Sequence, residues 1–254
     1  MSEVFDLSQP EQLLSGMREA RMALGRGEVI VMPTDTVYGI AADAFNPEAV
    51  AALLAAKERT RQAPPPVLVA STAALQALAE QIPQQVAELF EEFAPGPLTV
   101  ILPAQSSLQW DLGDTHGTVA LRIPDHPLAL ELLRETGPLA VSSANKHGGP
   151  APATAEAAAV QLSDAVNIFL DAGEVGGVAS TIVDATGLCE NPPQPARIVR
   201  QGALTRELLA ERLGDLLAPE PDTDGSAVGA ERQANTRSLP AFKPSEAASP
   251  APEA

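Results

Sequence analysis

Hydrophobic positions along the chain switch repeatedly between helical spacing and short continuous runs. Residues 9–26 carry Leu13, Leu14, Met17 and Met22 at helical spacing, and Gly25 and Gly27 suit the C-terminal end of that helix. Glu28-Val-Ile-Val-Met32 reads as a buried strand. Asn46-Pro47 offers an N-cap followed by proline at the first helical position, opening a helix to about Lys57. Residues 67–70 read as a strand, and Ser71 is placed to cap the next helix. Further strands are expected at 98–102 and 118–123, a helix at 127–135 and a short strand at 139–141. Thr154 opens a helix to Leu162, three strands follow at 165–170, 180–184 and 196–200, and a last helix spans 205–217. This alternation argues an α/β domain with a largely buried central sheet. Several strands follow one another without a helix between them, so a mixed sheet is expected rather than a parallel one. From Pro219 the pattern stops and Pro, Ala, Ser and Glu dominate. The expected organisation is therefore a folded domain over 1–217 and a disordered tail over 218–254.

Composition narrows the class. The chain has 254 residues, 45% of them apolar, enough for a real core. It contains no run of 18 apolar residues, and its start lacks the basic segment and apolar stretch of a signal peptide. One cysteine, Cys189, excludes an internal disulfide and a cysteine-based zinc cluster. His116, His126 and His147 are dispersed, and no protein-ligated metal is expected. A cytoplasmic location and no membrane association are the expectations. A net charge of −17 argues against nucleic-acid binding through the general surface, while leaving a local positive cleft open.

Against that acidic background the placement of cations carries information. Lys57, Arg59 and Arg61 share one short segment, Lys57-Glu-Arg-Thr-Arg61, between a helical pattern and a Pro-rich turn. Cations at an element end can hold an anion, or simply offset the helix macrodipole. Both Lys57 and Arg59 lie beside a turn, so removing either is expected to leave the fold intact. Met32-Pro-Thr-Asp-Thr-Val-Tyr-Gly39 follows a buried strand, the usual place for ligand contacts in α/β folds, with Gly39 permitting a tight turn. A hydrogen-bonded turn explains the same residues. Ala94-Pro-Gly-Pro-Leu-Thr99 reads as a rigid turn into a strand, which scaffolding explains. Thr118 and Arg122, four apart on a strand, share a face. An arginine inside an apolar strand needs a partner, either a structural carboxylate or a bound one. Ser142-Ser-Ala-Asn145 offers small residues and neutral hydrogen bonds suited to phosphate oxygens or a nucleotide. No Walker A pattern, dinucleotide glycine fingerprint or Ser/His/Asp set is present. The residues by themselves reach an anion-binding α/β domain.

Taken together, these segments resemble the YrdC family of threonylcarbamoyl-AMP synthases. The matching elements are Pro33-Thr-Asp-Thr-Val-Tyr-Gly39, Lys57-x-Arg59, Pro95-Gly-Pro-Leu-Thr99, Val119-Ala-Leu-Arg-Ile-Pro124, Ser143-Ala-Asn145, Ser180-Thr-Ile-Val-Asp184 and Ile198-Val-Arg-Gln-Gly202, in the family's order. The resemblance implies a twisted mixed sheet flanked by helices around a concave, positively charged cleft. It also implies a nucleotidyltransferase reaction. L-threonine, bicarbonate and ATP give threonylcarbamoyl-AMP and pyrophosphate, with Mg²⁺ accompanying ATP, and downstream threonylcarbamoyl-transferase proteins carry the group to tRNA. Carried over residue by residue, Lys57, Arg59, Thr118, Ser143, Asn145 and Arg200 would serve ATP, Lys57 and Arg59 acting catalytically. Thr36, Arg122 and Ser180 would hold threonine.

Two departures stand out. Pro65 and Ala70 replace an Asn and a His common in relatives, and a slightly longer spacer contains Arg61, which is the candidate to compensate. The second C-terminal domain of larger relatives has no counterpart in the 218–254 segment. The synthase reading allows a weak tRNA contact, and the main competing reading is an RNA-binding module of the same fold without synthase activity. A carbamoyl-transferring enzyme and a non-catalytic homologue complete the set.

Overall fold

In the computed structural model, which describes residues 2–220, the alternating periods become ten strands and seven helices. The strands are β1 (Glu3–Asp6), β2 (Ile30–Met32), β3 (Gly39–Asp43), β4 (Val67–Leu68), β5 (Leu98–Pro103), β6 (Thr118–Arg122), β7 (Leu139–Ser143), β8 (Ile168–Asp171), β9 (Thr181–Asp184) and β10 (Arg197–Arg200). The helices are α1 (Pro10–Gly25), α2 (Pro47–Ala56), α3 (Thr72–Leu78), α4 (Gln84–Phe93), α5 (Pro127–Thr136), α6 (Ala155–Leu162) and α7 (Arg206–Leu213). The expected caps form: Asn46 accepts from the Glu48 and Ala49 amides, Ser71 from Ala74 and Thr154 from Ala157.

The strands make one mixed sheet in the order β1-β8-β2-β3-β7-β4-β6-β5-β9-β10. Pairing is parallel at β1/β8, β2/β8, β4/β6 and β5/β9, and antiparallel elsewhere. Side chains alternate across the sheet with period two. On β2, Val31 joins one apolar cluster while Ile30 and Met32 join the other. The larger cluster gathers residues of α2, α3, α4, α6 and α7 on one side. On the other side, α1 and α5 supply Met17, Ala20, Leu24, Ala129, Leu132 and Leu133. Their cover reaches β4 through Leu68, and among the described residues no helix covers the same face of β6, β5 and β9.

Three elements lie outside the sequence expectations. β1 pairs with β8 at the sheet edge, and α4 buries Val86, Leu89 and Phe90. The third, β3, sits at the sheet centre between β2 and β7. Gly39 is therefore the first residue of a strand rather than a turn residue. A Cβ there would lie 2.5 Å from Val141 Cγ1, so the missing side chain makes room for β7. On α1, Met17 turns inward as expected, but Leu14 and Met22 face solvent, and Ala20, Ala23 and Leu24 complete the buried face. Small alanines carry much of that buried face, which a search for large apolar residues overlooks. Ala218 still donates its amide to Ala196 O, and the expected tail falls mostly on residues 221–254, outside the described residues.

Candidate active site

The uncovered sheet face forms the floor of a cavity of about 230 Å³. Strand alternation selects what enters it. Thr99 and Ile101 of β5 line it, while Leu98, Val100 and Leu102 pack into the larger core. On β6, Thr118, Ala120 and Arg122 line it while Leu121 points to that core. Thr34, Thr36, Ser142, Ser143 and Ser180 add hydroxyls, and Pro64, Pro65 and Pro66 form part of a wall. Among the described residues, three arginines, Arg59, Arg122 and Arg200, line the cavity and no carboxylate does.

Each arginine is held differently. Arg122 is 6% exposed. Its Nη2 donates to Asp35 Oδ1 at 2.6 Å, its Nη1 to Thr36 Oγ1 at 3.0 Å and its Nε to Gly96 O at 3.0 Å. The structural carboxylate that the sequence left as one option is thus Asp35. A guanidinium has five N–H donors, so two remain for an anion in the cavity. Burial lowers the Arg122 pKa, Asp35 opposes that shift, and Arg200 adds to it. Arg200 donates from Nη2 to Ser180 O at 2.8 Å and to Ser180 Oγ at 3.1 Å. Burial and then Arg59 lower its pKa. Arg59 is half-buried, and its side chain makes no hydrogen bond or ion pair with another described residue. Arginines that repel one another in a recess without an acid are poised for a polyanion.

Seven of the expected site residues therefore meet in one cavity: Thr36, Arg59, Thr118, Arg122, Ser143, Ser180 and Arg200. Lys57 and Asn145 stand just behind its walls. Lys57 is fully buried, which corrects the expectation that its removal would leave the fold intact. Its Nζ donates to Ser143 O and, at 2.7 Å, to Asn145 O, and its own carbonyl accepts from the His147 amide at 2.9 Å. Burial, then the charge of Arg59, pushes its pKa down to about 7. A neutral amine has two N–H groups, enough for both carbonyls. Asn145 donates Nδ2 to Lys146 O and Gly149 O, and its buried Oδ1 accepts no hydrogen bond from the described residues.

Two participants escaped the sequence reading. Thr99, assigned there to scaffolding, shares a 2.8 Å hydrogen bond with Ser180 Oγ and lines the cavity. A hydroxyl among Leu98, Val100 and Leu102 was the available signal. Asp35 was noticed only as a turn residue. Of the departures, Pro65 lines the cavity and Ala70 does not, while Arg61 turns away to Asp111 and Asp114.

Fold and cavity together define an α/β protein with an arginine-lined, anion-receiving cleft on the uncovered part of its sheet. Residues 22–202 match the model of the Sua5/YciO/YrdC family, described as "Telomere recombination", and the chain belongs to that family. It is 51% identical over 215 residues to a Mycobacterium tuberculosis protein named "Putative threonylcarbamoyl-AMP synthase", covering 84% of this chain and 96% of the relative. Identity to the Bacillus subtilis threonylcarbamoyl-AMP synthase is 37% over 201 residues, covering 78% of this chain and 56% of that protein. The structure of P. abyssi Sua5 complexed with L-threonine superposes with a TM-score of 0.78 at 31% identity, covering 89% of this chain and 65% of that one. The chain thus spans just over half of the Bacillus relative and about two thirds of the P. abyssi one. Among the described residues, no helix is long and apolar enough to cross a membrane.

Proposed function

We propose that this chain is a cytoplasmic L-threonylcarbamoyladenylate synthase, a nucleotidyltransferase whose product feeds threonylcarbamoyl-adenosine modification of tRNA. The observation that carries the reading is the convergence of Arg59, Arg122 and Arg200 with Thr36, Thr118, Ser143 and Ser180 in one cavity whose described lining holds no carboxylate. Relatives named for this activity, and a structural neighbour complexed with L-threonine, support it.

In this reading Arg59, Thr118, Ser143 and Arg200 take the ATP side. Arg122 offers its two remaining N–H groups to the threonine carboxylate, with Thr36 and Ser180 beside it. The threonine amine attacks the carbon of bicarbonate, or of CO₂ derived from it, forming a carbamate with loss of water or a proton respectively. A carbamate oxygen then attacks the α-phosphorus, and the bond to the bridging oxygen breaks to release pyrophosphate. No side-chain nucleophile is needed, so positioning and charge stabilisation carry the rate. Arg59 and Arg200 offset the repulsion between two anionic reactants. The recess shelters the labile adenylate from water.

Lys57 serves the phosphates through the loop it holds. Its amine fixes the Ser143 and Asn145 carbonyls, and with them the Ser143 hydroxyl. Mg²⁺ fits as a companion of ATP. It favours phosphate, water and neutral oxygen ligands, and the unpaired Asn145 Oδ1 is an oxygen of that kind. Bound with the triphosphate, Mg²⁺ would neutralise part of its charge.

The seam joining Arg200 to Ser180 and Thr99 couples the two reactant sites. The test is pyrophosphate release from ATP and Mg²⁺, with threonine and bicarbonate supplied together or singly. Release only with both supports the synthase. Release indifferent to threonine overturns it, and RNA binding tighter than ATP binding overturns it in favour of the RNA-binding module. Downstream transferases that accept the adenylate, and any weak contact with tRNA, follow from the same reading.

A further inference from the structure

Arg61 lies in the longer spacer that follows Lys57-x-Arg59, and it does not reach the cavity. Its guanidinium grips Asp111 with two parallel hydrogen bonds, Nη1 to Oδ2 at 2.9 Å and Nη2 to Oδ1 at 2.7 Å. Its Nε stands 3.5 Å from Asp114 Oδ1. The backbone continues the contact, for the Asp114 amide donates to Arg61 O at 2.7 Å. Between them Gly113 has φ +101°, and a Cβ there would sit 2.6 Å from Arg61 O. That glycine lets the two chains approach, and the Asp111 carboxylate also accepts from its amide at 3.0 Å.

These contacts bind the β5–β6 loop, residues 104–117, to the segment after α2. Each partner contributes to the same wall of the cavity. The loop supplies Leu112 and Thr115, and the facing segment supplies Arg59 and Pro64 to Pro66. Thr115 O also accepts from the Thr118 hydroxyl at 2.8 Å. A second tie sits beside the first: Trp110 of the loop stacks on Phe45, before α2, with ring centroids 5.5 Å apart. Trp110 is the chain's only tryptophan.

We infer that Arg61 is a positioning residue that fixes the β5–β6 loop and thereby sets the nucleotide wall formed by Leu112, Thr115 and Thr118. This rests on the assignment of Thr118 and Arg59 to ATP. Arg61 does not stand in for the missing Asn or His. It acts from outside, through a clamp that closes with loop and spacer together. The side chains of Arg61 and Asp111 are 57% and 42% exposed, so the pair is screened by salt and adds little to global stability.

The experiment compares the full chain with Arg61→Ala, Asp111→Asn and the charge-swapped double variant Arg61→Asp/Asp111→Arg. Steady-state KM is measured separately for ATP and threonine at low and high salt, alongside melting temperature and Trp110 emission. Either single variant should raise the KM for ATP roughly fivefold, the ratio matching the upper worth of an exposed pair. The KM for threonine and the melting temperature should stay near wild type. Trp110 emission should shift to the red as the loop loosens, and the swap should restore both readouts in part. High salt should move the wild type toward the single variants. An unchanged Trp110 emission together with an unchanged ATP KM overturns the clamp. Equal rises in both KM values, or a large fall in melting temperature, also overturn it, because they mark a general structural role. Trp110 emission requires no turnover. If the wild type makes no pyrophosphate from threonine and bicarbonate, the synthase reading fails while the clamp is still decided by emission.

Discussion

The two parts of one sheet face treat the same strand geometry in opposite ways. Over β1, β8, β2, β3 and β7, helices α1 and α5 cover the face, and the residues pointing into it are Phe5, Met32, Ala41, Leu139 and Leu170. Over β6, β5 and β9 no helix of the described residues arrives, and the equivalent positions hold Thr99, Thr118, Arg122 and Ile182. Both parts obey period-two alternation. What differs is whether a helix removes the water, because a buried polar group must find a partner. The covered part spends its face on packing. The open part keeps hydroxyls and guanidiniums available, and its one deeply buried cation, Arg122, survives there because Asp35 and Thr36 meet it.

That contrast can be broken most sharply on the open side. Arg59→Ala should lower turnover by about 10²- to 10³-fold, the cost of deleting one pre-placed charge donor, while leaving the melting temperature unchanged. The Arg59 side chain has no hydrogen-bond or ion-pair partner among the described residues, so none of them is orphaned by its loss. Steady-state rates at saturating substrate, paired with a thermal melt, check this. Near-normal rates would remove Arg59 from the site.

On the covered side the order of effects should reverse. Leu132→Ala removes a fully buried side chain with which α5 covers the sheet, and a deletion of this kind costs about 2–5 kcal/mol while leaving turnover near wild type. Urea unfolding should show the loss directly, and a variant as stable as wild type would mean that α5 does not carry the cover.

Lys57 stands at the boundary and sharpens the comparison through pH. Its pKa falls from 10.5 to about 7 on folding, so between these values the unfolded chain carries the extra proton. Stability must therefore rise with pH across that window by this group's contribution, and the contribution is flat below pH 7. Lys57→Met lacks it. The stability of wild type relative to the variant should grow from pH 7 to pH 9, measured by urea unfolding at each pH. A constant difference would show that the amine stays charged in the fold. The smallest effect belongs to the exposed ion pair between Arg21 of α1 and Glu135 of α5. Arg21→Ala should cost no more than about 1 kcal/mol and leave turnover untouched. A larger loss would mean that this surface pair anchors the helical cover.

Much of this was legible in the chain itself, and the exceptions have physical causes. Caps at Asn46, Ser71 and Thr154 announced their helices, because a side-chain oxygen before an apolar run has local work to do. The strand at β3 went unseen because Gly-Ile-Ala-Ala-Asp has little bulk. Its small residues are demanded by neighbours on β2 and β7 that are distant in sequence. Lys57 and Arg59 looked alike as cations beside a turn. Two residues of separation at the end of α2 send one into the core and the other into the cleft.

By itself the sequence determined the α/β class, the mixed sheet, most element positions and, through its ordered motifs, the family and the candidate residues. Those features are local, set by periodicity, capping and residue type. Only the tertiary structure decided how the candidates are used. It paired Arg122 with Asp35, hung Arg200 on Ser180, drew Thr99 into the site, and turned Lys57 onto two carbonyls and Arg61 onto the β5–β6 loop. These are contacts between segments far apart along the chain. Their partners are fixed by sheet order and by where the covering helices stop, neither of which any short stretch of residues encodes.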